Sequence, residues 1–318
     1  MSQTAFFTEP KGRTDKPSVL KALEVDYTPE GAAVLGVMGL GLEMPALRAR
    51  RVLHPSLGSG VWARAIAACY RHGPAIVGVE PRESERQNMV EACPDGVFVM
   101  DFEEFLGIRH EPFDLVIANI PFTGFPRRDK KRRVDTWGWH IELLRAGLLT
   151  EDAVVAFYGL TQMGQGEAAQ ASMKEWSPML ALRYGGRNEH RGEGTERLAP
   201  IPKKYQVPGG PTHEIRENGC DSREYTLWVW SVADLRRRQR QLLTLEGDRE
   251  WSITVNGAST SNALDAQILR LKRPRWETVQ LPVLPKHLRC WSPDAVPGTR
   301  PIPQETVDTV AALLRGGL

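Results

Sequence analysis

Residues 51–80 read RVLHPSLGSGVWARAIAACYRHGPAIVGVE. An apolar run ends at His54 in a small-residue turn, Pro55-Ser56-Leu57-Gly58-Ser59-Gly60, and helix-forming residues follow from Val61 to Tyr70. A second apolar run, Ala75 to Val79, then leads to Glu80. Strand, turn, helix and strand in this order spell a βαβ unit, the building block of a parallel sheet. The glycines let backbone approach a ligand closely. The helix start behind them offers N–H groups without intrahelical acceptors and a partial positive charge. Such a turn suits a nucleotide-like or carboxylate-bearing ligand, although glycines also serve tight turns that bind nothing.

Working outward, the same alternation continues. Apolar runs predict strands at 50–54, 75–79, 97–101, 113–118 and 153–158, and apolar residues spaced three and four apart predict helices at 61–70, 84–91 and 137–148. Further strands are expected at 180–184 and, rich in aromatics, at 224–230, the last of them antiparallel. The fold class is therefore α/β, a Rossmann-like doubly wound and mostly parallel sheet. Residues 1–26 are expected to form an N-terminal extension, 27–233 the main domain and 234–318 a small C-terminal module available for recognition of a partner. Within the main domain, 185–222 is rich in Gly, Pro and charge, with Pro200, Pro202, Pro208 and Pro211 discouraging regular structure, so a long loop insertion is expected.

Composition narrows the classes of function. The chain has 318 residues and no segment with the ~20 continuous apolar residues a membrane span requires. Its start, MSQTAFFTEPKGRTDK, lacks the pattern of a secretory signal, so a cytoplasmic protein is expected. Cys69, Cys93, Cys220 and Cys290 lie far apart without His at ligand spacing, which points to buried thiols and to no metal. With a net charge of only +2, nucleic-acid contact must come from local clusters. The densest is Arg127, Arg128, Lys130, Lys131, Arg132 and Arg133; others are Arg236 to Arg240 and Arg270 to Arg275.

The residues at the ends of the expected strands carry chemistry. Glu80 stands about 20 residues beyond the glycine turn, where an acid accepts hydrogen bonds from a ribose diol. Asp101 and Phe102 close the third strand, where an acid would bond an adenine amino group and a ring would cover the base. Directly after Phe113-Asp114-Leu115-Val116-Ile117-Ala118 comes Asn119-Ile120-Pro121-Phe122, an amide, a rigid proline and an aromatic at the edge where open α/β sheets hold ligands. Trp137, Trp139 and His140 open the next helix, where aromatics either stack on bases or fill the core.

Asn119 to Phe122 resembles the motif of class I S-adenosylmethionine-dependent methyltransferases that modify exocyclic amino groups. Residues 51–60 resemble the cofactor loop of DNA adenine-N6 methyltransferases, including phage and mobile-element enzymes, some of which would serve restriction-modification. Tyr27-Thr28-Pro29 resembles the segment these enzymes use on the methionine part of the cofactor. The resemblance spans about 27–231 and implies S-adenosylmethionine as cofactor and DNA as partner. It implies that Tyr27, Thr28, Pro29, His54, Pro55, Ser56, Gly58, Gly60, Glu80, Asp101, Phe102 and Asn119 hold the cofactor. The Asn119 side-chain oxygen and the Ile120 carbonyl would accept from the target amine, with Pro121 fixing the turn and Phe122 stacking on a base flipped from the duplex. The Arg127 to Arg133 loop would grip phosphates. His54 stands where the family carries an acid, which opens a second expectation, a DNA-binding subunit that keeps the fold without turnover. Methylation of rRNA adenine or of cytosine N4 uses the same kind of acceptor pair.

Overall fold

The computed structural model describes residues 28–58, 60–82, 86–119, 138–162, 167–191, 196–200, 213–217, 220–255, 267–268, 276–289 and 301–316. In chain order the elements begin α1 (Glu30–Glu43), β1 (Arg51–His54), α2 (Val61–Cys69), β2 (Ala75–Val79), α3 (Arg86–Ala92), β3 (Gly96–Phe98), α4 (Phe102–Leu106) and β4 (Phe113–Asn119). There follow α5 (Trp139–Arg145), β5 (Leu149–Leu160), α6 (Glu167–Glu175), β6 (Leu180–Gly185), β7 (Asn188–Arg191), β8 (Glu196–Pro200), β9 (His213–Glu217), β10 (Cys220–Arg223) and β11 (Tyr225–Ser231). The last are α7 (Val232–Val255), β12 (Glu277–Val283), α8 (Lys286–Arg289) and α9 (Gln304–Gly316).

One eight-stranded sheet has the order β12-β6-β11-β5-β4-β1-β2-β3. Strands β1 to β5 pair in parallel. β11 runs antiparallel between β5 and β6, and β12 lies parallel to β6. This is the expected mostly parallel, Rossmann-like sheet with its antiparallel strand. Parallel strands are covered on both faces, so they are apolar throughout rather than alternating. In β4, Leu115 and Ile117 enter the core beneath α1 and α2, while Val116 and Ala118 enter the opposite core with Phe105, Trp139 and Leu143.

Helix α1 is apolar nearly all round, and Ala32, Ala33, Val34, Leu35, Val37 and Leu40 are all buried. A helix of that kind needs cover on its outer side as well. The cover comes from α8 and α9, which both pack on it. On its inner side, a Cβ at Gly36 would stand 2.2 Å from the Tyr184 hydroxyl, so only glycine admits this approach to the sheet. That hydroxyl donates to the Ala32 carbonyl at 2.9 Å.

The structure departs from expectation in three places. Within 185–222, strands β7 and β10 pair with each other, as do β8 and β9, forming two antiparallel ribbons where an irregular loop was expected. Ladder hydrogen bonds sustain such ribbons without an apolar periodicity that sequence reading could detect. Part of 234–318 joins the main domain: β12 extends the large sheet, and α8 and α9 close the core over α1. Pro282 is tolerated there because β12 lies at the sheet edge and shifts register between Gln280 and Val283. Finally, β3 ends at Phe98 rather than residue 101, since Asp101 already serves as the N-cap residue of α4. Among the described residues, no helix is long and apolar enough to cross a membrane.

Candidate active site

After β1 the chain builds β2 and β3 on one side, then returns with β4 on the other side of β1. The carboxyl ends of β1 and β4 thus diverge at a switch point, where an open α/β sheet forms a ligand crevice. The glycine turn lies at this point. Gly58 has φ 54° and Gly60 φ 77°, left-handed values that a side chain would strain. Gly60 is the N-cap residue of α2 with no side-chain cap hydrogen bond, which leaves the helix start to backbone donors.

The turn is tied to β2 by two bonds. The Leu57 amide donates to the Val79 carbonyl at 2.9 Å, and the Gly58 amide donates to Glu80 Oε2 at 2.8 Å. Glu80 is only 5% exposed, so its carboxylate needs the donors that surround it. Arg82 supplies the rest: its Nε reaches Glu80 Oε1 at 2.7 Å and its amide the same oxygen at 3.3 Å.

At the end of β4 the Asn119 side chain is held from below. Its Nδ2 donates to Thr28 Oγ1 at 3.2 Å, and the same oxygen accepts from Trp62 Nε1 at 3.3 Å. Thr28 is buried and directly precedes Pro29, the N-cap residue of α1. Ser56 Oγ donates to the Asn119 backbone carbonyl at 2.8 Å, joining the glycine turn to the end of β4. Residues 28, 56, 62 and 119, far apart in the chain, therefore meet at one sheet edge. His54 ends β1 fully buried, and burial lowers its pKa to about 3, so its ring is neutral at any physiological pH. Neither ring nitrogen bonds another described residue.

Asp101 is half-buried as the N-cap residue of α4. Phe102, expected to cover a base, is 3% exposed and packs in the core with Phe105 and Val79. Trp139 and His140 are fully buried in that core, where the His140 ring stacks on Trp230 at 4.3 Å, so the packing role applies to both. Burial lowers the His140 pKa to about 3 as well. The Arg236 to Arg240 cluster is half offset by acids: Arg236 pairs with Glu151, and Arg237 and Arg238 pair with Asp234. Tyr27, Ile120, Pro121, Phe122, Trp137, the Arg127 to Arg133 cluster and Arg270 to Arg275 lie outside the described residues.

Sequence reading missed the aromatic wall beside Asn119. Tyr158 is its register partner across β4 and β5 and stacks on Tyr225 with ring centroids 4.8 Å apart. Trp62 tilts against Tyr158 at 5.2 Å, and buried Asn188 donates from Nδ2 to the Tyr158 hydroxyl at 3.1 Å. Burial holds that hydroxyl protonated well above the usual phenol range. The aromatics of β11 were legible as strand residues, but no local signal marks Asn188 as the partner of Tyr158 on β5. Cys93 is buried and Cys69 half-buried; both are free thiols that burial pushes up to about 12. Among the described residues, no group of three or more His, Cys, Asp or Glu is placed to hold a metal ion.

No protein-family model and no curated protein matches this sequence. Solved structures similar to it include the methyltransferase subunit of a type I restriction-modification system from Streptococcus thermophilus, at 13% identity, 67% of this chain, 47% of that chain and TM-score 0.43. A Listeria monocytogenes protein described as a class I S-adenosylmethionine-dependent methyltransferase is 11% identical over 64% of this chain and 60% of that one, with TM-score 0.42. An S-adenosylmethionine-dependent O-methyltransferase from Thermotoga maritima is 13% identical over 60% of this chain and 63% of that one, with TM-score 0.35. The chain spans less than two thirds of each of these three proteins.

Proposed function

We propose that this chain transfers a methyl group from S-adenosylmethionine to the exocyclic N6 amine of adenine in DNA, acting on a base turned out of the duplex. The observation that carries this reading is the Asn119 amide at the carboxyl end of β4. Its nitrogen is committed to Thr28 at 3.2 Å, which orients the opposite side of the amide, the acceptor side, away from that anchor. An amide oriented by a buried neighbour is preorganised to accept from an amine without reorganising during the reaction.

The residues around it suit the cofactor. A nearly buried carboxylate, Glu80, stands beside two left-handed glycines and an uncapped helix start. Among the described residues, a Cβ placed on Gly58 would meet only the Arg82 guanidinium, at 3.9 Å, so backbone there has room to approach a ligand. Glu80 would hold the ribose and Asp101 the adenine amine. Thr28, Pro29, His54, Pro55, Ser56 and the glycines would shape the methionine end, with Tyr27 beside them. When bound, the cofactor supplies an electrophilic methyl on a sulfonium. Asn119 and the Ile120 carbonyl would orient the target amine, Pro121 would hold the turn and Phe122 would stack on the flipped base. Phe102, being a core residue, would support the Asp101 turn from beneath. Arg127, Arg128, Lys130, Lys131, Arg132 and Arg133 would hold phosphates.

Purified chain incubated with labelled cofactor and mixed DNA and RNA tests the reading, with the product digested to nucleosides. Label in N6-methyladenine of DNA that vanishes in Asn119→Ala supports it. Label in RNA or in N4-methylcytosine moves the substrate. Tight cofactor binding with no label on any nucleic acid favours the non-catalytic subunit, the reading prompted by His54.

A further inference from the structure

Glu80 is saturated on one of its two oxygens. Oε1 accepts from Arg82 Nε at 2.7 Å and from the Arg82 amide at 3.3 Å, while Oε2 accepts from the Gly58 amide at 2.8 Å. Each carboxylate oxygen has about two acceptor positions, so Oε2 retains one and Oε1 none. A ribose diol that bonds both oxygens needs one position on each. The pair is well shielded, with the Arg82 and Glu80 side chains 17% and 7% exposed, so it persists rather than fluctuating in solvent.

We infer that Arg82 is an internal competitor for the ribose site: its guanidinium occupies Glu80 and must leave before a nucleoside diol can bond both carboxylate oxygens. This rests on the assignment of Glu80 to the cofactor ribose. The exchange replaces an ion pair and hydrogen bond by a hydroxyl bond, which weakens binding of any adenosyl ligand. The spent cofactor carries the same ribose, so return of Arg82 to Glu80 favours its release. Arg82 thus limits product retention at the expense of cofactor affinity.

Calorimetry on the full chain separates this from a structural role. The probes are S-adenosylhomocysteine and its 3′-deoxy analogue, which offers one hydroxyl in place of two. Arg82→Met is expected to bind S-adenosylhomocysteine about fivefold more tightly than the native chain, the scale of a partly shielded ion pair, and the 3′-deoxy analogue unchanged. Arg82→Gln, also uncharged, should do the same and serves if the Met variant folds poorly. Equal tightening toward both probes, no change, or weaker binding of S-adenosylhomocysteine overturns the inference. Glu80→Gln in the native background tells its failure from failure of the ribose assignment. Weakened binding there keeps the assignment even if Arg82 variants gain nothing, whereas unchanged binding removes the assignment and the competition together.

Discussion

Replacing Thr28 by Val isolates the anchor under Asn119. The substitution keeps the side-chain shape and exchanges the hydroxyl for a methyl, so the two donors converging on Oγ1, Trp62 Nε1 at 3.3 Å and Asn119 Nδ2 at 3.2 Å, lose their acceptor. Thr28 is 3% exposed, which keeps water from replacing it at low cost. A buried donor left unpaired costs about 1–3 kcal/mol. Of the two donors only the Trp62 indole N–H is fully buried, and its bond is long, so the lower half of that range applies and the loss is about 1–2 kcal/mol. For a domain of this size that lowers Tm by about 2–8 °C. Thr28→Ser keeps the oxygen and should recover most of the loss. Under the proposed function, Asn119 would also lose its orientation, and the transfer rate at saturating cofactor should fall about tenfold to a hundredfold, as expected for a mispositioned group. Thermal melts and single-turnover transfer with labelled cofactor measure both effects. A Thr28→Val protein that melts within about 1 °C of the native chain and transfers at the native rate would refute the anchor.

Acid should destabilise the fold through His54 and His140. Both are neutral when folded, with pKa lowered to about 3 by burial, while the unfolded imidazoles titrate near 6.5. Their contribution is whole above pH ~6.5 and is lost as pH falls toward 3, by about 1.4 kcal/mol per pH unit for each ring. Urea melts between pH 7 and 5 should show this slope, reduced by about half in His140→Phe. Ser56→Ala removes the 2.8 Å bond to the Asn119 carbonyl and should cost about 1 kcal/mol in the same melts. Gly60→Ala forces a side chain to φ 77° and should cost about 1–2 kcal/mol, with Gly60→Asn milder because Asn tolerates that region. Neutralising Arg127 to Arg133 should flatten the dependence of DNA affinity on salt; an unchanged slope takes that loop out of the interface.

The amino-acid order by itself determined the parallel half of the fold, because a strand covered on both faces must be apolar along its length. Residues 51–54, 75–79 and 113–119 announce themselves in that way. It also marked Glu80, Asn119 and the glycine turn, since strand ends in a βαβ pattern fall on one edge. Tertiary structure alone decided what touches those residues. Thr28 lies 91 positions before Asn119, and Asn188 lies 30 positions after Tyr158, separations at which no local pattern records a hydrogen bond. The same holds for Arg82: its distance from Glu80 in sequence was visible, but the closing of its guanidinium on the carboxylate depends on the turn that brings Gly58 to the other oxygen. The late stretches 277–289 and 301–316 read as short runs broken by prolines, yet they complete the sheet and cover α1. An apolar surface specifies that it must be buried, and only the folded chain determines by what.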